Sequence, residues 1–190
     1  MAEPHIEVAN DFFHDAGDLL HRYRLTVDHF YSVKSKRMKL FLDLRIAAEC
    51  ILKAYAAYFL MASLSREEVI RKVEAYGHNI KKLALDVESS VMPDLWELFS
   101  PFVPQLAELP VGLRYRLDGA DFRVLNEDFY YQTIGSDAWL DNLHENIDNI
   151  RNSLNFLLSE HSKILSGKEL LVEVMKSRCN KYERHKDKNA

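Results

Sequence analysis

Apolar and polar positions alternate along most of this chain with a helical period. Over residues 4–33, Ala9, Phe12, Phe13, Ala16, Leu19, Leu20, Tyr23, Val27 and Phe30 recur in steps of three and four. That spacing traces one face of a long amphipathic helix. Asp11, His14, Asp18, His21 and Asp28 fall on the opposite side. Residues 38–62 read differently, as the most apolar part of the chain. Their interior polar residues are Asp43, Arg45, Glu49 and Lys53, the last three at every fourth position. Positions i, i+4 and i+8 share a helix face, so this helix is apolar nearly all round with one narrow charged stripe. Such a helix is buried on most sides, and the other segments are expected to pack against it. It is not expected to cross a membrane. Each of its charges would cost roughly 2.5–3.5 kcal/mol at a bilayer centre, and the longest uncharged piece, 54–62, is too short to span.

Local signals divide the rest. Ser35 is a candidate N-cap for the core helix. Ser65-Arg66-Glu67-Glu68 has the pattern of a capping box and predicts a short helix through about Tyr76. Gly77 suits the left-handed residue after a helix. Asn79 is placed to cap a helix from Ile80 to about Ser90, and Pro93 limits it. Residues 94–109 predict a short helix with a kinked continuation at Pro101 and Pro104. Around Asp118-Gly119, apolar and polar residues alternate on both sides, which predicts a small β-hairpin within 112–125 or an ordered loop. Residues 126–135 read as loop. Ser136 or Asp137 then caps a long helix with Trp139, Leu140, Leu143, Ile147, Ile150, Leu154, Leu157 and Ile164 on one face, ended by Gly167. A last short helix is expected at 168–176. The tail, 176–190, carries six Lys/Arg against two acidic residues. The expected organisation is one helical bundle over 1–167 followed by a short helix and basic tail over 168–190.

Composition agrees with helices. The 190 residues are 47% hydrophobic with only 6 Gly and 5 Pro, enough for one core and few turns. A net charge of −4 gives no global attraction to nucleic acid. Cys50 and Cys179 lie far apart, with no zinc-ligand spacing. No secretory signal pattern opens the chain, so a reducing cytoplasm is the expected compartment. There is no phosphate-binding glycine loop, dinucleotide fingerprint, nucleophile elbow or zinc-protease motif, and no cofactor is expected.

Three segments, in order, resemble the HEPN superfamily. Leu44-Arg-Ile-Ala-Ala-Glu49-Cys-Ile-Leu-Lys53-Ala is similar to that family's second helix, an apolar helix carrying Glu and Lys one turn apart. Tyr76-Gly77-His78-Asn79-Ile-Lys-Lys-Leu83 resembles its Gly-His turn, and Leu113-Arg114-Tyr115-Arg116 the Arg-Tyr segment before its final long helix. The resemblance covers roughly residues 5–165. It implies an all-α, up-and-down bundle with a four-helix core that commonly forms a homodimer. The family includes nucleotide-binding modules, RNase toxins and phage-defence proteins. Its RNases carry Arg-x(4–6)-His, with residues of two protomers meeting at a cleft. Formal matches here are Arg22/His29, Arg24/His29, Arg71/His78 and Arg178/His185. Chance alone gives about one or two such matches. None of these arginines is followed by the polar residue usual in active members, and Arg151-Asn152 has Phe156 where the histidine would stand.

The sequence therefore points to a non-catalytic binding module, with nucleotide or RNA as ligand, in a defence or toxin–antitoxin setting. The alternative is a metal-independent RNase using Arg71 and His78. Candidate ligand residues are Glu49, Lys53, His78, Lys81, Lys82, Arg114, Tyr115 and Arg116. Glu49 and Lys53 have the favoured order for an i,i+4 pair, and pairing within the bundle, reaching His78, is the competing structural explanation. Lys81 and Lys82 sit in a first helical turn, where a bound anion would offset their repulsion from the dipole. Arg114, Tyr115, Arg116 and Arg123 could form a basic aromatic surface or a charged strand edge. Asp11/His14 and Asp18/His21 have metal-pair spacing but face water, so no metal is expected. A homodimer is expected through the helices over 4–33 and 136–165, where Phe13, Tyr31 and Phe156 extend the apolar faces.

Overall fold

The computed structural model describes residues 5–29, 33–109 and 116–164. Every regular element among them is helical, and no strand occurs. The order is α1 (Ile6–His29), α2 (Val33–Tyr55), a π turn (Ala56–Leu60), α3 (Arg66–Ala75), α4 (Ile80–Val87), a 3-10 turn (Glu88–Ser90), α5 (Pro93–Phe99), α6 (Phe102–Glu108), α7 (Arg116–Leu125), α8 (Glu127–Gln132) and α9 (Asp137–Ile164). The chain divides into two compact units, Met1–Leu154 and Asn155–Ala190. Of the second, α9 through Ile164 is described, with Phe156 exposed.

The core lies around α2, as its composition requires. Leu40, Phe41, Leu44, Ala47, Ala48, Ile51, Leu52, Ala54 and Tyr55 are all buried, pointing to several sides of the helix. Full burial of a large apolar side chain stabilises by about 1.5–3 kcal/mol, which makes α2 the most strongly held element. Helix α1 makes the most extensive pairing with it, and α4 packs on it from another side while also meeting α6. The charged stripe is buried as well: Asp43, Arg45 and Glu49 have almost no exposure. Helix α9 is tied in by polar bonds. The Tyr55 hydroxyl donates to the Ile150 carbonyl at 3.3 Å, and Trp139 Nε1 donates to Gln105 Oε1 at 2.7 Å. No helix is long and apolar enough among the described residues to cross a membrane.

The local punctuation around α3 and α4 is as its residues dictate. Ser65 and Glu68 form the capping box, Gly77 has φ +53°, and the Asn79 side chain accepts from Lys82 N at 3.0 Å. At α9, Ser136 Oγ accepts from Trp139 N at 3.2 Å. The 94–109 segment resolves into α5, with Pro93 in its first turn, and α6.

Four expectations need correction. Ser35 is not an N-cap: α2 already runs from Val33, and the Lys36 ammonium turns back to the Val27 carbonyl in the last turn of α1. The last four carbonyls of a helix have no donor within it, and the Lys36 ammonium supplies one here. The hairpin within 112–125 is replaced over 116–125 by α7. Leu117, Ala120 and Val124 also fit a helical period, and tertiary contact decides between the two: Phe122 meets Phe129 of α8 edge-to-face at 6.4 Å. Residues 126–135 include a short helix, α8, rather than loop alone, and its Tyr130 is buried. Phe13, expected to extend an association face, is buried. Tyr31, Gly167 and the helix and tail over 168–190 lie outside the described residues.

Candidate functional site

Two charged clusters stand out in the first unit. The first is built on α2, where Arg45, Glu49 and Lys53 stack one turn apart. Glu49 is 4% exposed and Arg45 2%, so neither charge is solvated and each needs partners. Lys53 Nζ donates to Glu49 Oε1 at 2.6 Å, and Arg45 Nη1 approaches Glu49 Oε2 at 3.4 Å. The same Oε2 lies 3.0 Å from His78 Nδ1. Arg45 also spends its other donors on backbone: Nε on the Leu106 carbonyl at 3.1 Å and Nη2 on the His78 carbonyl at 2.8 Å. Burial lowers the Arg45 pKa and the Glu49 charge opposes that shift. Arg45 thus fastens α2 to the α3–α4 connection, where the His78 carbonyl also accepts from Ile80 N, and to the last turn of α6 through the Leu106 carbonyl.

The positive φ of Gly77 turns the chain at the end of α3, so that the next residue's ring reaches α2. His78 is bonded to a buried carboxylate through Nδ1, yet its side chain is 67% exposed. The imidazole is oriented from below and presents its other edge outward. Lys81 and Lys82, in the first turn of α4, are exposed nearby in sequence. The Lys82 ammonium lies 5.5 Å from the centre of the Tyr76 ring, and the Tyr76 hydroxyl donates to Asp86 at 2.7 Å. Burial and then the Asp86 carboxylate push the Tyr76 pKa up to about 12. Glu49, Lys53 and His78 are therefore brought together, with Lys81 and Lys82 on the surface beyond them.

Arg71 is not part of this cluster. It is exposed, its Nε bonds the Glu67 carbonyl one turn back at 3.4 Å, and no hydrogen bond among the described residues joins it to His78. Arg114 and Tyr115 lie outside the described residues; Arg116 opens α7, its side chain outside them. The same holds for Arg178 and His185, and for the His29 side chain. Asp11, His14, Asp18 and His21 are exposed on α1, and among the described residues no three His, Cys, Asp or Glu side chains converge as a metal site would.

The second cluster, at the α1–α9 seam, was not singled out by the sequence. The Tyr23 hydroxyl donates to Asp141 at 2.8 Å, and its ring stacks on His144 at 4.8 Å and 25°. Burial, then Asp141, raises the Tyr23 pKa far above the ordinary phenol. Arg24 donates from Nε to His144 Nε2 at 3.3 Å and from Nη2 to Asp148 at 3.0 Å. Arg151 lies over the Phe13 ring at 4.1 Å and donates to the Phe13 carbonyl at 3.3 Å. It covers Gly17 so closely that a Cβ there would stand 2.7 Å from its Nη2. The available signal was the run Asp141, His144, Asp148, Arg151 on α9, at steps of three and four. Of the formal Arg/His matches, Arg24 meets a different histidine, and Arg22 makes a two-pronged pair with buried Asp43, Nε at 3.0 Å from both oxygens.

No family model matches the chain, and no similar protein was found among curated proteins or solved structures.

Proposed function

We propose that this chain is a non-catalytic binding module of the HEPN type, an up-and-down bundle with a four-helix core, that takes a nucleotide or RNA on the surface formed by His78, Lys81 and Lys82. The observation that carries the reading is the tethering of His78. A buried glutamate fixes Nδ1 and leaves the other ring edge free for a ligand, beside two exposed ammonium groups. An imidazole held with Nδ1–H on Glu49 presents its Nε2 lone pair to a ribose hydroxyl or a base N–H without first losing rotamer freedom, and the lysines supply the charge that phosphates seek. Glu49 and Lys53 act beneath the surface as positioning residues. Arg114, Tyr115 and Arg116 extend the same reading to the residues that lead into α7. A defence or toxin–antitoxin setting rests on the family resemblance, a homodimer on that resemblance and the apolar helix faces, and a cytoplasmic location on the absence of a secretory pattern in the sequence.

Thermal shift against nucleotides and short single-stranded RNA tests the proposal. A ligand at a hundredfold excess over its Kd stabilises by about 2.7 kcal/mol, and Lys81→Ala/Lys82→Ala removes that gain. With RNA, losing two phosphate-facing lysines lowers the salt slope by about 1.4. RNA cleavage in EDTA, lost in both Arg71→Ala and His78→Ala while the folds remain intact, establishes the RNase alternative instead. Sedimentation equilibrium decides the dimer, since a single species at 22.2 kDa rules it out.

A further inference from the structure

At the α1–α9 seam, one guanidinium joins two acceptors. His144 and Asp148 are i and i+4 on α9, neighbours on one face, and Arg24 bridges them from α1 through Nε and Nη2. The first of these bonds imposes a protonation state. A guanidinium offers only protons, so His144 Nε2 must present its lone pair and carry its ring proton on Nδ1. The charged groups that face the ring are Arg24 from α1 and Asp141, Glu145 and Asp148 from α9 itself. Burial, and then Arg24, hold the imidazole below the ordinary histidine pKa, while the three carboxylates pull the other way. The Tyr23 ring supports one face of the imidazole, and its hydroxyl bond to Asp141 involves neither Arg24 nor His144.

We propose that Arg24, His144 and Asp148 form a proton-operated clasp between α1 and α9, in which a solvent proton added at His144 Nε2 transfers Asp148 from the guanidinium to the imidazolium and releases Arg24. Once Nε2 is protonated, it meets the Arg24 N–H donor to donor and cation to cation. The 3.3 Å bond is then lost. Asp148, one turn along the same face, swings to accept the new N–H, and a His⁺–carboxylate bond is stronger than a neutral one. The Tyr23–Asp141 bond keeps the helices in register meanwhile, so the clasp opens without the seam separating. Its product is an unpaired surface guanidinium that exists only once His144 is protonated.

Nitrogen-15 NMR of the histidine rings and arginine Nε–H groups tests this in the intact chain. His144 is expected as the Nδ1–H tautomer near neutral pH, with a titration midpoint below about 6.5. The Arg24 Nε–H resonance should move with that same midpoint, and Arg24→Gln should raise the midpoint. Exchange of the Arg24 Nε–H with solvent, corrected for intrinsic rate, should quicken across it. A midpoint at or above the ordinary value, or an Arg24 resonance that ignores the titration, overturns the proposal. Both readouts come from the unaltered protein, so they decide the matter even if Arg24→Gln fails to fold.

Discussion

The Glu49 network and the α1–α9 seam use the same kinds of side chain, arginine, histidine and carboxylate, in opposite surroundings. In the first, the carboxylate and guanidinium are almost wholly out of water, and most of the Arg45 donors go to backbone carbonyls. In the second, Arg24 and Asp148 keep part of their hydration. A buried ion pair gains little over an apolar replacement but is costly to break singly; an exposed pair is worth about 0–1 kcal/mol. The buried cluster therefore fixes where chain segments go, while the seam can exchange partners at small cost. One region is suited to holding a site in place and the other to responding.

Glu49→Ala strands Arg45 and Lys53 and should cost about 3–5 kcal/mol in denaturant unfolding. The double variant Arg45→Met/Glu49→Leu should cost less than Glu49→Ala alone, because the fully buried guanidinium is no longer stranded. Alkali provides the next test. Burial pushes the Cys50 thiol from 9.0 up to about 12, so the folded state holds its proton longer than the unfolded chain. Stability is then fully present below about pH 9 and falls as pH rises toward 12; Tyr76 acts in the same sense. Unfolding followed by circular dichroism from pH 8 to 11 checks the sign. Gly77→Ala places a side chain at φ +53° and should cost about 1–2 kcal/mol, with loss of ligand response exceeding loss of fold because His78 is next in the chain. Tyr23→Phe removes one bond at the seam, for about 0.5–1.5 kcal/mol. Arg24→Ala, the smallest effect, should stay within about 1 kcal/mol at neutral pH.

Much of the first region was legible because its signals are local. An apolar surround predicts a buried α2, and the Glu49–Lys53 spacing with the Gly77-His78 turn predicts that pairing and its reach to His78. The part of Arg45 was hidden because its partners are carbonyls 33 and 61 residues away, and any residue supplies a carbonyl. The seam was hidden by distance instead, its side-chain contacts spanning 118 to 124 residues. Residues 116–125 misled because ten residues fit periods of two and 3.6 nearly equally, and Phe129 of α8 decided between them. Helix α8 itself has no side-chain cap to announce it.

The Arg151 guanidinium lying on bare Gly17 carries a consequence for how this chain can change over generations. Glycine within a helix sacrifices about 1 kcal/mol relative to alanine, so drift should favour filling position 17. Any such filling must first dislodge the arginine from the Phe13 ring and carbonyl. The order of substitutions is thereby constrained: a shorter residue at 151 opens the path, and alanine at 17 then becomes an improvement. In descendants of this sequence, a side chain at 17 should accompany the loss of arginine at 151, and the reverse order should be rare.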